Sequence, residues 1–196
     1  MSMRRHAGFT LIELLITLAI LTILASMAYP SMRDFMRRST VASQSNGIMA
    51  DLQYARGTAV STRSYVSLCP RLANGKVGCD SKGRFENGWL VYTAATPNVS
   101  YDGKGASDPN LLHIAEPAGK VSIRASAAGV LTYNARGELL VVDDSSEDSD
   151  VSLNTCIKPD ADDTGSSTSG VPGAKLSVAH SGRIGVANLA AGDSCS

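Results

Sequence analysis

The sequence predicts an α+β chain: one long N-terminal α-helix, its first half membrane-spanning, packed on an antiparallel β-rich globular head. Three observations predict it. Residues 9–29 (FTLIELLITLAILTILASMAY) form a 21-residue apolar run with a single charge, Glu13. Past Pro30, apolar side chains keep recurring at helical spacings as far as Ala59. Beyond residue 63 the pattern changes to short β-rich runs separated by turn residues. No βαβ alternation appears among those runs, so antiparallel sheets must cover the helix.

The first element, residues 1–8 (MSMRRHAG), is short, polar and basic. The apolar run that follows would rise about 31 Å as a helix, close to the thickness of a bilayer's hydrocarbon core. A secretory signal peptide has a shorter apolar region, about 7–15 residues, before a small-residue cleavage site. The small residues Ala25-Ser26-Met27-Ala28 fit such a site, but the length of the run and the carboxylate inside it do not. An ionised group within a membrane costs at least ~2.5–3.5 kcal/mol, which makes Glu13 a candidate functional residue. Arg4 and Arg5 ahead of the span place the N-terminus on the cytoplasmic side and everything beyond it outside.

The second element, residues 30–62, continues the same helix as its amphipathic half. Met32, Phe35, Met36, Ala42, Ile48, Met49, Leu52, Ala55 and Ala59 form one stripe, with Arg33, Arg37, Arg38 and Asp51 mostly off it. Pro30 and Gly47 are points of weakness. From Phe9 to Ser61 such a helix is roughly 80 Å long. Its first half has no partner within the chain; its second half has a face to bury.

The head, residues 63–196, supplies the cover. Strands are expected at Tyr65–Cys69, Trp89–Thr93, Leu111–Ala115, Val121–Ala125, Val130–Tyr133, Leu139–Val142, Val151–Ile157, Lys175–Ala179 and Ile184–Ala187. Asn134-Ala135-Arg136-Gly137 and His180-Ser181-Gly182 read as turns between them. Residues 143–150 (DDSSEDSD) and 158–173 (KPDADDTGSSTSGVPG) read as exposed loops. The acidic loop offers oxygen ligands, but its spacing matches no EF-hand, and a solvated loop is the preferred reading.

Charge is balanced overall and segregated locally. Lys and Arg number 18 against 18 Asp and Glu. Residues 1–63 hold seven Arg against three acids, whereas residues 138–163 hold nine acids against Lys158 alone. A zero balance argues against a dedicated nucleic-acid binder. The four cysteines allow three connectivities. Outside the cytoplasm disulfides persist, and the favoured pairs are Cys69–Cys79, a local loop, and Cys156–Cys195, which ties down the C-terminus. Zinc needs closer ligand pairs than these. The histidines, His6, His113 and His180, bring no catalytic company: His180 and Ser181 are adjacent, and neither a nucleophile elbow nor a phosphate-cradling glycine loop is present. No enzyme, metal or cofactor is expected.

Gly8-Phe9-Thr10-Leu11-Ile12-Glu13-Leu14 resembles the type III signal sequence of type IV pilins and type II secretion pseudopilins. The resemblance implies a type IV pilin-like fold, cleavage between Gly8 and Phe9 by a prepilin peptidase, and N-methylation of Phe9. It further implies that Glu13 pairs with the terminal amine of a neighbouring subunit during assembly, and that Pro30 kinks the helix. The physics agrees: amine and carboxylate of staggered parallel helices meet in low dielectric, where breaking the pair strands a buried charge. The segments LTYNARGELLVV and LSVAHSGRIGV resemble the closing β-pattern of the FimT/FimU/GspH class of minor pilins and pseudopilins.

That class implies a non-enzymatic subunit for pilus assembly and tip priming, with links to twitching or DNA uptake. The alternatives are an H-type minor pseudopilin of type II secretion and a DNA-binding minor pilin for transformation. Implied partners are the prepilin peptidase, other minor and major pilins, and inner-membrane lipid; the head would lie in the periplasm and then in a pilus or pseudopilus. DNA is the less favoured partner. In some FimT-type pilins a Gly-Arg-x-Arg motif contacts it, and here Gly182 and Arg183 match while the second arginine position is Gly185. One arginine, even helped by Lys175 or Arg136, supplies little phosphate affinity, so Arg183 reads first as a plain surface residue.

Overall fold

The computed structural model describes residues 9–73, 75–101, 105–126, 129–141, 150–159 and 164–195. Helix α1 runs unbroken from Leu11 to Thr62. Thr10 starts it, with extended backbone dihedrals and a side-chain oxygen that accepts from the Glu13 N–H at 3.3 Å. That is an N-cap, and Glu13 in the first turn complements the helix dipole. Arg63 ends it in the left-handed region at φ 53°, its N–H bonded back to the Ala59 carbonyl.

Nine strands follow, each within a residue or so of its expected place: β1 (Tyr65–Pro70), β2 (Trp89–Ala94), β3 (Leu111–Ile114), β4 (Val121–Ala125), β5 (Leu131–Tyr133), β6 (Leu139–Val141), β7 (Val151–Ile157), β8 (Ala174–Val178) and β9 (Ile184–Asn188). A short 3-10 turn, Phe85–Asn87, precedes β2. The strands form two antiparallel sheets, one ordered β3-β2-β1-β5-β6 and the other β4-β7-β8-β9. The acidic loop at 142–149 lies outside the described residues.

Both sheets pack on the second half of α1. Val66, Leu68, Val91, Leu131 and Tyr133 come from the first sheet, and Ile123, Leu153, Leu176 and Val178 from the second. The buried helix positions are Val41, Ser45, Ile48, Leu52, Ala55 and Ala59, a 4-3-4-3-4 spacing. The expected stripe is therefore corrected at its N-terminal end. Met32, Phe35, Met36 and Ala42 stay exposed, and Val41 and Ser45 occupy the buried line instead. The reason is geometric: the head's apolar core does not reach the helix before Val41, and below that point the line continues through the polar Arg37 and Asp34, both half-buried. Arg38 donates to the Gly170 carbonyl, an anchor between helix and head that apolar periodicity does not reveal.

A second, smaller core lies on the far side of the first sheet. Cys69, Leu90, Tyr92, Tyr101 and Val130 fill it. The Tyr92 and Tyr101 rings meet at 5.2 Å between centroids, and their hydroxyls donate to the Val99 carbonyl at 2.6 Å and the Asp108 carboxylate at 3.0 Å. Burial pushes the Tyr92 hydroxyl far above its ordinary titration range. On the same far face, Ser67 and Thr132 pair across β1 and β5, hydroxyl to hydroxyl at 2.9 Å.

Two disulfides brace the head, one beside this smaller core and one on the second sheet. Cys69 joins Cys79, with Cα atoms 5.5 Å apart, and Cys156 joins Cys195 across a separation of 39 residues. Loop-closure entropy alone assigns them about 3 and about 4 kcal/mol respectively. The second ties Cys195 to β7, beside the backbone bond from the Cys195 N–H to the Gly165 carbonyl. Gly173 is required there, because a Cβ would sit 2.9 Å from the Cys156 sulfur and 3.0 Å from the Thr155 carbonyl oxygen.

The corrected stripe makes a direct prediction. Leu52→Ala should cost about 3 kcal/mol, since a fully buried side chain is lost to a cavity. Met36→Ala should change stability by no more than about 0.5 kcal/mol. Thermal unfolding of the full chain in a neutral detergent, followed by far-ultraviolet circular dichroism, separates the two.

Candidate functional site

Two ends of the molecule carry candidate functional residues: the start of α1 and the far pole of the head. At the start, Phe9 is 84% exposed, and the large apolar side chains from Leu11 to Leu24 are all more than half exposed or at the half mark. An 18-residue window of this helix has a mean hydropathy of 2.4, and none of it is buried inside the chain. Its threonine and serine hydroxyls are internally satisfied. Thr17, Thr22 and Ser26 each donate to the carbonyl three residues back, at 2.9, 2.8 and 2.7 Å. Such back-bonding removes their polar cost in an apolar medium. Glu13 is the exception, since its carboxylate has no partner among the described residues. Gly8 and the rest of the leader lie outside the described residues, and Pro30 sits within the continuous run of α1.

At the far pole, one helix residue holds two turns together. Arg56 donates from Nε to the Gly137 carbonyl and from a terminal nitrogen to the Ser181 carbonyl, both at 3.0 Å. These carbonyls belong to the β5–β6 turn and the β8–β9 turn, one from each sheet. The turns also bond to each other, Leu139 N–H to the His180 carbonyl at 2.7 Å. Close approach demands glycine at both places. Gly182 has φ +75° and a Cβ there would collide with the Gly137 carbonyl, while Gly137 has φ +77° and would press on the Arg56 side chain at 3.0 Å. Burial pushes the neighbouring Tyr133 hydroxyl above its ordinary range, and the Arg56 charge offsets part of that rise. Arg56 was not legible as a site residue. Its one trace in the sequence is its place between Ala55 and Ala59, small side chains that let the turns come near.

The residues that match the DNA-contact motif part company here. Gly182 is buried in the clamp, and Arg183 is exposed at the start of β9. Arg136 is engaged, its guanidinium reaching Glu138 at 2.8 Å through both Nε and a terminal nitrogen. Lys175 is exposed on β8, opposite Ala187 of β9. Gly185 faces outward opposite Ser177, has no positive φ, and leaves a Cβ 4.0 Å from its nearest neighbour. The motif's second position is thus open to a side chain that the sequence does not supply.

Other charged groups are structural. Asp51 on α1 accepts from the Trp89 indole N–H at 2.7 Å and lies 3.5 Å from the His113 Nε2. Arg124 pairs with Glu86 at 2.7 Å and Arg84 with Asp80 at 3.2 Å. Among the described residues no group of three or more His, Cys, Asp or Glu gathers as metal ligands, and no cysteine is free. His180 and Ser181 serve the turn: the His180 N–H donates to Asp150 at 3.3 Å, and the Ser181 carbonyl is held by Arg56.

The clamp predicts both mutational and pH effects. Arg56→Met should cost about 2–3 kcal/mol, because two carbonyls lose a charged donor. Gly182→Ala should be worse tolerated than Gly185→Ala, which should stay within about 0.5 kcal/mol of the parent. Glu138 is held below its ordinary 4.5 by donation from Asn134 and then by Arg136. A depressed carboxyl stabilises the fold above its unfolded value and ceases to do so as pH falls through the folded one. Glu138→Gln should therefore lower the melting temperature slightly at neutral pH and flatten its further loss below pH 4.5.

Comparison with known proteins identifies the scaffold that carries these features. The prokaryotic N-terminal methylation motif matches residues 3–29, and the family described as type II transport protein GspH matches residues 44–179. The type IV major fimbrial protein FimA of Dichelobacter nodosus is 30% identical over 142 residues, covering 69% of this chain and 78% of that protein. Type II secretion system protein J of Klebsiella pneumoniae is 29% identical over 120 residues, 53% of this chain; the match spans 60% of that protein's length. The type IV minor pilin FimU of Pseudomonas aeruginosa PAO1 shares the fold, with a TM-score of 0.50 at 21% identity over 82% of this chain and 96% of FimU. The chain belongs to the GspH family of type IV pilin-like proteins, in the FimT/FimU/GspH class of minor pilins and pseudopilins.

Proposed function

We propose that this chain is a minor pilin: a subunit inserted through the inner membrane by residues 9–29, processed at Gly8–Phe9, and recruited into a type IV pilus, where it helps to prime assembly at the tip. One observation carries the reading. Among the residues of the apolar helix, Thr17, Thr22 and Ser26 are satisfied within the helix, while the Glu13 carboxylate has no partner among the described residues. Cleavage ahead of Phe9 would create an amine one turn away, and a neighbouring subunit's amine would pair with that carboxylate. The methylation motif supports the processing step, and a prepilin peptidase is the partner it implies. Pilins and pseudopilins are structural subunits, and we infer no catalysis here.

A second reading, a minor pseudopilin of type II secretion, is favoured by the family description and by the likeness to protein J. The pilus reading ranks first because the fimbrial relative matches over a larger share of both chains. Loss of the gene separates the two: failure of piliation with intact export of folded exoproteins supports the pilus, and the converse supports secretion. A DNA contact through Gly182 and Arg183 is a third reading, weakened by the tie between Arg136 and Glu138.

The processing and assembly steps are testable on the intact chain. Gly8→Leu should leave an uncut precursor in the inner membrane. Glu13→Ala should insert at least as well as the parent, as an intramembrane charge is removed, yet co-purify with sheared filaments several-fold less. Normal incorporation of the Glu13→Ala protein, measured by immunoblot of the filament fraction, would deny the carboxylate its assembly role.

A further inference from the structure

We propose that the groove beneath the head is a binding site for the headgroup of an anionic phospholipid in the leaflet from which α1 emerges. The groove encloses about 480 Å³ between one helix face and the base of the head. Tyr29, Met32, Arg33, Met36, Arg37 and Thr40 form its helix wall, one continuous helix face with intervals of 3-1-3-1-3, and Lys120 and Lys158 flank it from the head. Four cations therefore border one cleft. Arg33 and Lys120 are exposed, whereas Arg37 and Lys158 are half-buried. Of the acids, Asp34 lines the adjoining cavity rather than this one, 4.0 Å from Arg37. Asp160, Asp162 and Asp163 follow Pro159 and lie outside the described residues.

Position selects the occupant. The apolar run ends at Tyr29, an aromatic residue of the kind that settles at headgroup depth. Thr40, eleven residues on, lies about 16 Å further along the axis, so the cleft spans the headgroup layer and the water just beyond it. Charge makes the same point by another route. Arg33, Arg37 and Arg38 follow the span within nine residues of Tyr29, against Arg4 and Arg5 on its other side. Basic residues on the exit side oppose the insertion that the leader requires, so a compensating interaction is needed at that face. Anionic phosphates at the membrane surface supply it. Met32 and Met36, 60% and 62% exposed in the chain alone, supply the apolar part of the same wall, beside the guanidinium groups.

The test uses the full chain in a neutral detergent, with phosphatidylglycerol or phosphatidylcholine added to the micelles and retained lipid counted by native mass spectrometry. Phosphatidylglycerol should be retained at least tenfold more strongly. Arg33→Gln combined with Lys120→Gln should lower that retention about 30-fold, since each basic residue near an anionic surface contributes roughly fivefold. Both positions are exposed, and unchanged melting of the double variant will verify that folding is intact. Hydrogen exchange at residues 32–40 and 157–158 should slow with phosphatidylglycerol and not with inorganic phosphate at the same concentration. Equal retention of the two lipids, or retention indifferent to the double variant, overturns the proposal. So does protection by inorganic phosphate alone, which would make the cleft a general anion site. Loss of filament incorporation by the double variant with lipid retention unchanged would assign the cleft to a neighbouring subunit instead.

Discussion

One helix must live in two solvents, and the rest of the chain is arranged around that constraint. The first half of α1 exposes a full circumference of leucine and isoleucine, a surface stable in lipid or against other helices and nowhere else. The second half exposes a single line of small and branched residues, Val41 to Ala59, and two sheets close over it. Water is excluded from both halves by different means. The boundary between them, residues 29–40, is where the apolar run has ended and the head meets the helix only at its edge, through Arg38 and Gly170, and there its side chains turn from apolar to mixed. Charge segregation along the sequence is the chemical trace of that boundary.

The head meets the helix at more points than hydrophobic burial alone requires. At the far pole Arg56 binds a turn from each sheet, so the two sheets are locked to the helix and, through Leu139 and His180, to each other. Near the base, Arg38 reaches Gly170 and the Cys156–Cys195 bridge fastens the segment that carries it. Between these ends lies the apolar line. The arrangement resists shear along the helix axis: sliding the head by one turn would break charged hydrogen bonds at both poles and unseat Ala55 and Ala59 from their close contacts.

Much of this was legible in the sequence, and the parts that were not share a cause. The nine strands were readable because short apolar runs alternate with turn-forming and polar residues, and the helix because an unbroken apolar run passes into a stripe whose period holds to Ala59. Periodicity shows that a face exists; it does not say what covers it. Met32, Phe35 and Met36 keep the helical spacing yet point away from the core, while Ser45 is buried in it. Arg56 was hidden for a related reason. Its partners are backbone carbonyls 81 and 125 residues away, and a carbonyl leaves no mark on a sequence. The turn glycines were visible as turns, but their obligation to be glycine comes from a neighbour that only the folded chain reveals.

Rigid coupling of head to helix bears on how such a subunit serves an assembly. A subunit drawn from the membrane is moved by forces on its helix, while its surface for partners is its head. With a flexible joint, those forces would be spent on bending rather than on placing the head. Here the described contacts leave the joint stiff from Arg38 to Thr62 and leave the stretch below Arg38 to respond to its surroundings. The cleft at residues 29–40 is consequently the part of the molecule whose environment changes most between the membrane and a filament. Its two methionines suit that change: an unbranched thioether side chain repacks against lipid or protein with little loss. Its cations suit it too, since a guanidinium finds partners in phosphates and carboxylates alike. The same stripe that could not be buried within the chain is thereby fitted to exchange one covering for another.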